Sequence, residues 1–254
     1  MAVPVAEILA EADRLLEPAR FEDFGPNGLQ VPGPHSAQRI VSGVSANAEL
    51  FQRAVTAGAD LLLVHHGLFW GQGFRVIDDT LKRRLALLFE ADIALAAYHL
   101  PLDAHPEIGN NALLARRLQA GDTVPFAMHR GEAIGCIATF PGGGLAATDL
   151  FDRVAAVTER TPLVLGAGPD RIARLAIVSG AGADYVQEAA AAGAEALLTG
   201  EPVERVTATA TELGVHVIAA GHHATETLGI QALGEHLAER FGLEHIFIDV
   251  PNPV

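Results

Sequence analysis

Residues 39–67, RIVSGVSANAELFQRAVTAGADLLLVHHG, contain the pattern that decides the fold. An apolar run (RIVSGVSA) precedes a segment with helical periodicity (AELFQRAVTAGA), and a second apolar run (DLLLVHHG) follows it. The alternation continues with a helix in IDDTLKRRLALLFEA and a strand in IALAAYHLPLD. Short apolar strands that alternate with amphipathic helices are typical of βαβ units. The pattern therefore predicts an α/β protein with largely parallel sheets and flanking helices.

A later part of the chain repeats this pattern. Residues 176–201, AIVSGAGADYVQEAAAAGAEALLTGE, align with the opening stretch, and residues 219–226 (AAGHHATE) align with residues 96–103 (AAYHLPLD). In this alignment two polar positions coincide, which are His99 with His222 and Asp103 with Glu226. Helices rich in Ala and Gly resemble one another by chance, but matching polar residues at two strand ends favour an internal duplication.

The charge balance argues against several classes of function. The 254 residues include 17 basic and 31 acidic side chains, which give a formal net charge of −14. Because such a surface repels phosphate backbones and anionic lipids, we expect no nucleic-acid or membrane partner. No apolar run reaches membrane-spanning length, and the first twenty residues do not resemble a secretory signal. We therefore expect a cytoplasmic protein with a small-molecule partner.

Nucleophilic catalysis is not supported by the sequence. The single cysteine, Cys136, lies in the apolar stretch GEAIGCIATF, which predicts a buried and inert thiol. The serines occur without the G-x-S-x-G motif of α/β-hydrolases. Neither of the two common phosphate-binding glycine motifs is present as such.

Two adjacent histidines, His65 and His66, end the apolar strand in LLLVHHG. The carboxyl ends of strands are where open α/β sheets bind ligands. Successive residues of a strand point to opposite faces, so both imidazoles serve one site only if the chain departs from regular geometry. Gly67 permits that departure. We predict that both are metal ligands.

The next strand ends in YHLPLD, which contains His99 and Asp103. Pro101 is expected to exclude a helix here, so that both residues lie where the strand passes into a loop. Asp103 is the stronger ligand candidate because a carboxylate can bind or bridge cations. His99 is expected to orient Asp103 without touching the metal.

The corresponding segment of the second half is GHHATE, with a helix expected to begin near Ala224. His222 and Glu226 are four residues apart and can share one face of the first turn. His223 would point elsewhere, and its sequence context fits a surface histidine as well as a ligand. Glu201 lies opposite His66 in the alignment. It either supports the site from outside the ligand set or occupies a helix N-terminus, where carboxylates are favoured.

The resulting ligand set contains three imidazoles and two carboxylates. That exceeds the needs of one four-coordinate zinc ion and suits two adjacent ions bridged by a carboxylate and a water molecule. Without thiolates, the donor types are compatible with Zn, Mn, Fe or Co. We therefore predict two divalent metal ions per subunit.

Four motifs, VHHGLFW, YHLPLDAHPEIGNNALLARRL, LLTGE and GHHATETLGIQALGEHL, resemble those of the Nif-three-like dinuclear metal proteins, often labelled GTP cyclohydrolase 1 type 2 homologues. The similarity is to the short form of the family, which lacks the inserted domain. It implies two similar, intertwined α/β domains and a toroidal homohexamer. We expect the first domain to comprise residues 1–122 with about 219–254, and the second residues 123–218. Carried across by motif, the ligands are the five predicted above: His65, His66, Asp103, His222 and Glu226.

The resemblance also implies an activity, the opening of the GTP imidazole ring with release of formate. This predicts a metal-dependent hydrolase of a nucleotide or small phosphorylated molecule, in which bound metal activates water and anchors the phosphates. The alternative is a non-catalytic metal-binding protein, a metallochaperone or a scaffold. In the loop Gly25–Gln30, Pro26 stands where relatives usually carry an acidic residue before Asn27, so the resemblance assigns this loop no role.

Overall fold

The computed structural model describes residues 2–71 and 76–254. The chain forms two compact units, the first from Met1–Leu102 and Gly229–Val250, the second from Asp103–Leu228 and Pro251–Val254. Each unit combines a sheet with helices, so the predicted α/β class is confirmed. The domain limits expected near residues 122 and 219 stay a prediction.

The elements up to residue 104 appear in the predicted alternation. In chain order they are β1 (Val3–Pro4), α1 (Val5–Leu16), β2 (Gly28–Val31), β3 (Ser36–Ala37), β4 (Arg39–Ser45), α2 (Ala48–Ala57), β5 (Leu61–His66), α3 (Asp79–Glu90), β6 (Ala94–Ala97) and α4 (Leu100–Ala104). The later elements are α5 (Asn110–Arg117), β7 (Thr123–His129), β8 (Glu132–Thr139), β9 (Leu145–Ala146), α6 (Ala147–Thr158), β10 (Leu163–Gly166), β11 (Arg171–Ile172), β12 (Arg174–Val178), α7 (Val186–Ala191), β13 (Ala196–Thr199), α8 (Glu204–Leu213), β14 (His216–Ala219), α9 (His222–Thr225), α10 (Thr227–Phe241) and β15 (Glu244–Phe247).

The main sheet of the first unit has the strand order β15-β4-β5-β6-β2. The first four strands are parallel, and β2 joins the edge in the antiparallel direction. Leu62 and Val64 of β5 are fully buried in a core that also contains Phe51 of α2 and Leu88 of α3. Burial of each such side chain stabilises the fold by about 1.5–3 kcal/mol. Because β5 and β6 are parallel, the segments that follow them both begin at the carboxyl ends of the strands and therefore lie on the same side of the sheet.

The main sheet of the second unit is mixed, with the order β10-β14-β13-β12-β8-β7. Only β12, β13 and β14 are parallel, which are the strands of the predicted repeat. The predicted strand AIGCIATF is β8, and it forms an antiparallel hairpin with β7, which the sequence pattern did not predict. The exposed residues Thr123, Val124 and Pro125 give β7 no clear alternation of apolar and polar side chains.

The repeat is visible in the topology of the two sheets. An antiparallel edge strand, then three parallel strands, occur as β2-β6-β5-β4 and as β10-β14-β13-β12. Asp60 accepts hydrogen bonds from the two N–H groups at the start of β4, at 2.7 and 3.0 Å. Its aligned partner Glu195 accepts two from the start of β12, both at 2.7 Å. The duplication therefore extends to side-chain contacts far from the predicted ligands.

The segment after β6 differs from the prediction. Leu100–Ala104 is a short helix, not a loop, and β6 ends at Ala97. Pro101 lies in the first turn of this helix, where a missing N–H costs no helical hydrogen bond. The expectation that Pro101 excludes a helix was therefore wrong.

The segment after β14 also differs in detail. The helix begins at His222, two residues before the predicted start at Ala224, and α9 ends at Thr225. Glu226 has a φ of −121°, which separates α9 from α10. In the part of the chain that the structure describes, no helix is both long enough and apolar enough to cross a membrane.

Candidate functional site

The end of β5 brings His65 and His66 together. Their ring centroids lie 4.7 Å apart, although they are consecutive residues. His65 is fully buried, and its Nδ1 lies 2.9 Å from the carbonyl oxygen of Tyr98. Because a carbonyl oxygen only accepts, Nδ1 of His65 carries a proton and donates this hydrogen bond. His66 Nδ1 lies 3.0 Å from the Ser45 hydroxyl on the neighbouring strand.

His99 joins these two residues and forms what we call the histidine group (His65, His66, His99). Its ring centroid is 5.0 Å from that of His65 and 5.5 Å from that of His66. One ligand nitrogen from each of the three residues lies within 4.8 Å of the other two. The group therefore places three imidazoles where one cation could contact them all.

Asp23, which the sequence analysis did not single out, holds His99 in place. Its Oδ1 accepts a hydrogen bond from His99 Nδ1 at 2.7 Å, and its Oδ2 accepts one from the N–H of Leu100 at 2.9 Å. Burial would raise the pKa of Asp23, but the hydrogen bond and charge of His99, with donors from Asn27 and Phe24, hold that pKa below its ordinary value. The carboxylate is therefore charged and directed at the imidazole.

The loop around Gly25–Gln30, which the resemblance left without a role, supports both strand ends. Asn27 Oδ1 accepts from the N–H of His99 at 2.8 Å. Gln30 Oε1 accepts from the N–H of Leu68 at 2.8 Å, close behind His66. Sequence reasoning missed these contacts because the groups they join are 38 and 72 residues apart.

Two aromatic side chains flank the histidine group. The ring of Trp70 lies 5.1 Å from that of His99 and 5.5 Å from that of His66, and the ring of Phe24 lies 6.1 Å from that of His99. Phe24 is 49% exposed. The N–H of Gly71 donates to the Phe24 carbonyl oxygen, which joins the segments that carry the two rings.

In the second unit, the other predicted ligands form the carboxylate group (Asp103, His222, Glu226). Asp103 is buried, and its Oδ1 accepts hydrogen bonds from Asn110 Nδ2 at 2.8 Å and from Ser179 Oγ at 3.0 Å. A carboxylate oxygen of Asp103 lies within 4.8 Å of one of Glu226. These contacts leave Glu226 close to both other members of the group.

His222 lies between two carboxylates. Its Nε2 is 3.1 Å from Glu226 Oε2, and its Nδ1 is 2.5 Å from Glu201 Oε1. Burial would lower the pKa of His222, but Glu226 and Glu201 outweigh it and raise that pKa to about 9. In the metal-free protein this imidazole is therefore a cation. Nε2 of His222 would be the atom that holds a metal ion, and Glu201 would orient the ring through Nδ1.

Gly180 supplies the space that Glu226 occupies. Its φ is +60°, and a Cβ at this position would collide with Glu226 Oε1 and lie 3.0 Å from His222 Nε2. In this space the buried carboxylate of Glu226 contacts the imidazole of His222, and the buried carboxylate of Asp103 lies close to it. Carboxylate oxygens and imidazole nitrogens are donors that divalent cations accept, so the residues present fit such an ion.

The remaining predicted residues have simpler surroundings. The backbone N–H of His223 donates to the carbonyl oxygen of Val254. Among residues 2–71 and 76–254, His223 belongs to none of the side-chain clusters that could hold a metal ion. Burial raises the pKa of the Cys136 thiol to about 12, which removes it as a nucleophile at neutral pH. Its Sγ lies 3.7 Å from the Asn111 carbonyl oxygen.

The fold and these donor groups define an α/β protein with clustered imidazoles and carboxylates that could hold metal. The chain belongs to the Duf34/NIF3 (NGG1p interacting factor 3) family, whose model matches residues 3–253. The family resemblance of the four sequence motifs is thus confirmed.

Relatives and solved structures agree with this assignment. A protein of Pseudomonas aeruginosa named GTP cyclohydrolase 1 type 2 homolog is 45% identical over 253 residues, which cover 100% of both chains. The structure of protein ybgI, described as of unknown function, matches with a TM-score of 0.93 and 40% identity over 99% of this chain and 100% of that chain. The crystal structure of TTHA1606 from Thermus thermophilus matches with a TM-score of 0.90 and 38% identity, at the same coverage.

Proposed function

We propose that this protein is a metal-dependent hydrolase of a nucleotide or another small phosphorylated molecule. Two divalent ions, Zn, Mn, Fe or Co, would be held by His65, His66, Asp103, His222 and Glu226. The observation that carries the proposal is the clustering of these donors: ligand atoms of His65 and His66 lie within 4.8 Å of each other, as do those of Glu226 with Asp103 and with His222. Metal ions bound to such donors lower the pKa of water and stabilise charged oxygens during hydrolysis.

Within the carboxylate group, the proposed roles follow from the contacts. Glu226 would be the central ligand of this group, because its oxygens lie near both His222 and Asp103. Glu201 would orient His222 from outside the ligand set, through Nδ1. Ser179 and Asn110 would hold one oxygen of Asp103 and thereby direct the other toward the metal.

GTP is the specific substrate that we propose, with ring opening and release of formate. The names of the relatives support this choice, since they are called GTP cyclohydrolase 1 type 2 homologues. Phe24 and Trp70, whose rings each lie near that of His99, are residue types that can stack on a planar base. The net charge of −14 means that a triphosphate would need bound cations as its positive anchor.

The test is an assay of the metal-loaded protein with GTP, in which formate and dihydroneopterin triphosphate are both quantified. We expect both products from the wild-type protein and a loss of at least about 100-fold in rate for Asp103→Asn, because a metal donor is lost. Glu212→Ala, an exposed position on α8, is the matched control and should retain wild-type rates.

Absence of both products would contradict the cyclohydrolase form of the proposal, and a panel of phosphoesters would then test the general hydrolase. Tight metal binding without turnover of any of these compounds would instead identify a non-catalytic metal-binding protein, a metallochaperone or a scaffold.

We also propose a cytoplasmic homohexamer, on the basis of the sequence resemblance. Light scattering after size-exclusion chromatography would measure the mass of the assembly directly. A mass of six chains of 26.6 kDa each is expected, and a monomer mass at micromolar concentration would exclude it.

A further inference from the structure

We infer that Arg160 binds a phosphate group of the substrate, next to the proposed metal ligand His222. The sequence analysis gave Arg160 no role, because a single basic residue after a helix has no distinguishing pattern. In the structure Arg160 lies in the second unit, between α6 and β10. The inference rests on the proposed function, since it assigns a phosphate contact to the substrate class that we propose there.

The first argument is the position of Arg160 along the sheet. β10 pairs with β14 in the antiparallel direction, so that Leu163 at its start lies opposite Ala219. The residues that precede β10 therefore lie at the carboxyl end of β14, where Gly221 and His222 follow. Adjacent strands of a sheet are about 4.8 Å apart. Arg160 is thus on the same side of the sheet as His222, one strand away from it.

The second argument is the direction of the Arg160 side chain. A Cβ at Gly221 would collide with Nη1 of Arg160 and would lie 2.8 Å from its Cδ and 2.9 Å from its Cζ. The guanidinium group therefore lies across the backbone of Gly221, the residue directly before His222. Gly221 has φ +99°, a conformation that favours glycine, and its missing side chain provides the space for the guanidinium group.

The third argument is that hydrogen bonds fix the backbone of Arg160 on both sides. Its N–H donates to the carbonyl oxygen of Ala155 at 3.2 Å, and its carbonyl oxygen accepts from Thr158 Oγ1 at 3.4 Å. The preceding residue, Glu159, has φ +53° and ends α6 in the left-handed conformation. A ligand that binds to a side chain on a fixed backbone pays a smaller cost in conformational entropy.

The fourth argument is the charge of Arg160. In the part of the chain that the structure describes, its guanidinium group makes no hydrogen bond and no ion pair. Arg14, Arg39, Arg53 and Arg205, by contrast, each pair with a carboxylate. Arginine stays charged at physiological pH, and its planar fork of N–H donors matches a phosphate group. In addition to any bound metal, Arg160 therefore offers an anionic ligand a positive centre in a chain of net charge −14.

The experiment measures the binding of inorganic pyrophosphate to the zinc-loaded protein by isothermal titration calorimetry. The zinc content of each protein is determined before and after the titration, so that removal of zinc by pyrophosphate is recognised. We expect Arg160→Gln to keep the zinc content of the wild type and to bind pyrophosphate about 10- to 100-fold more weakly, because a charge-assisted contact is lost. Arg160→Lys keeps the charge without the planar fork, and its affinity should lie between those of Arg160→Gln and the wild type.

Arg174→Gln is the matched control. Arg174 also lies against a glycine with positive φ, since a Cβ at Gly193 would be 3.2 Å from its Nη1. It is at the start of β12, at the opposite end of the same sheet, and its loss makes the same change in net charge. The affinity of this variant for pyrophosphate should equal that of the wild type.

Three results would overturn the inference. The first is equal affinity of Arg160→Gln and the wild type, and the second is an equal loss in Arg160→Gln and Arg174→Gln. The third is a wild-type protein that binds no pyrophosphate. Circular dichroism shows whether Arg160→Gln is folded, and if it is not, Arg160→Lys decides, with unchanged affinity contradicting the inference.

The outcomes separate the inference from the proposed function. Pyrophosphate binding that depends on Arg160, without turnover of GTP or any phosphoester, refutes the proposed hydrolase and supports the phosphate contact. Turnover with the same KM in Arg160→Gln as in the wild type refutes only the inference, which predicts an increase in KM of about 10-fold with little change in kcat. A protein that takes up no zinc refutes the proposed function, and the same titration of the metal-free protein then decides the inference.

Discussion

Glu226 owes its position to the absence of a side chain at Gly180. The backbone of Gly180 has φ +60°, a region that side chains other than glycine adopt at a cost of about 1–3 kcal/mol. A Cβ would also meet Glu226 Oε1 directly. Conformation and space both require glycine at this position, and both act on a proposed metal ligand.

We predict that Gly180→Ala lowers metal affinity by at least about 10-fold, because the new methyl group displaces the carboxylate of Glu226. Isothermal titration with Zn²⁺ measures the effect. Gly214→Ala is the matched control, since Gly214 has φ +67° and nothing within 4 Å of its would-be Cβ. It should lose stability through backbone strain and keep wild-type affinity. Equal loss of affinity in both variants would contradict the role of Gly180.

For single residues, the sequence identified candidate ligands where a residue type that binds metal follows an apolar run. His65 and His66 follow a run of four apolar residues, and the structure brings their rings together. Asp23 could not be found in the same way, because its contact with His99 spans 76 residues. A single acid in a polar turn resembles many others, and only the folded chain shows which imidazole it meets.

Each unit contains a carboxylate that connects the starts of two neighbouring parallel strands. Asp60 lies just before β5 and binds the start of β4, and Glu195 binds the start of β12 from just before β13. The contact holds two neighbouring parallel strands in register at the edge opposite the histidine and carboxylate groups. Retention of the contact in both halves indicates that the strand pair needs it.

We predict that Asp60→Ala and Glu195→Ala each lower the free energy of unfolding by about 2–3 kcal/mol, since each leaves two N–H groups without a charged acceptor. Urea denaturation measures the change. Glu212→Ala, an exposed position, should change it by less than about 0.5 kcal/mol. If Asp60→Ala lowered the free energy of unfolding and Glu195→Ala left it unchanged, the two contacts would not be equivalent.

The elements that the sequence predicted are those with a strong period. β5, β12 and β13 each contain at least three consecutive apolar residues, β4 is buried along its middle, and α2 and α3 carry amphipathic spacing. β7 was missed because neighbouring residues 123–125 are all exposed. The helix α4 was excluded for the wrong reason, because a proline interrupts a helix only beyond its first turn.

For the whole molecule, the sequence predicted the α/β class and the family, both of which are confirmed. The sequence predicted largely parallel sheets, but the sheet of the second unit is mixed. Its outer strands pair in the antiparallel direction, and the alternation of strands and helices along the chain does not reveal the direction of such edge strands. The net charge of −14 is also a property of the whole chain, and it makes the metal-free protein bear strong self-repulsion.

We predict that removal of metal destabilises the protein measurably. At a free metal concentration about 100 times the Kd, a bound ion stabilises the folded state by about 2.7 kcal/mol. Thermal unfolding with added Zn²⁺ and after chelation should therefore differ by several degrees in Tm. The double variant Asp103→Asn/His222→Gln should lose most of this difference, and Glu212→Ala should keep all of it. A wild-type Tm that ignores both zinc and chelator would contradict the prediction.

The position of β15 has a consequence for synthesis on the ribosome. This strand lies beside β4 in the sheet of the first unit, although residues 103–228 of the second unit are made between them. At about 5–20 residues per second, β4 waits on the order of ten seconds for its neighbour. The second unit can therefore complete its sheet first, while the nascent first unit exposes an open strand edge that chaperones could cover.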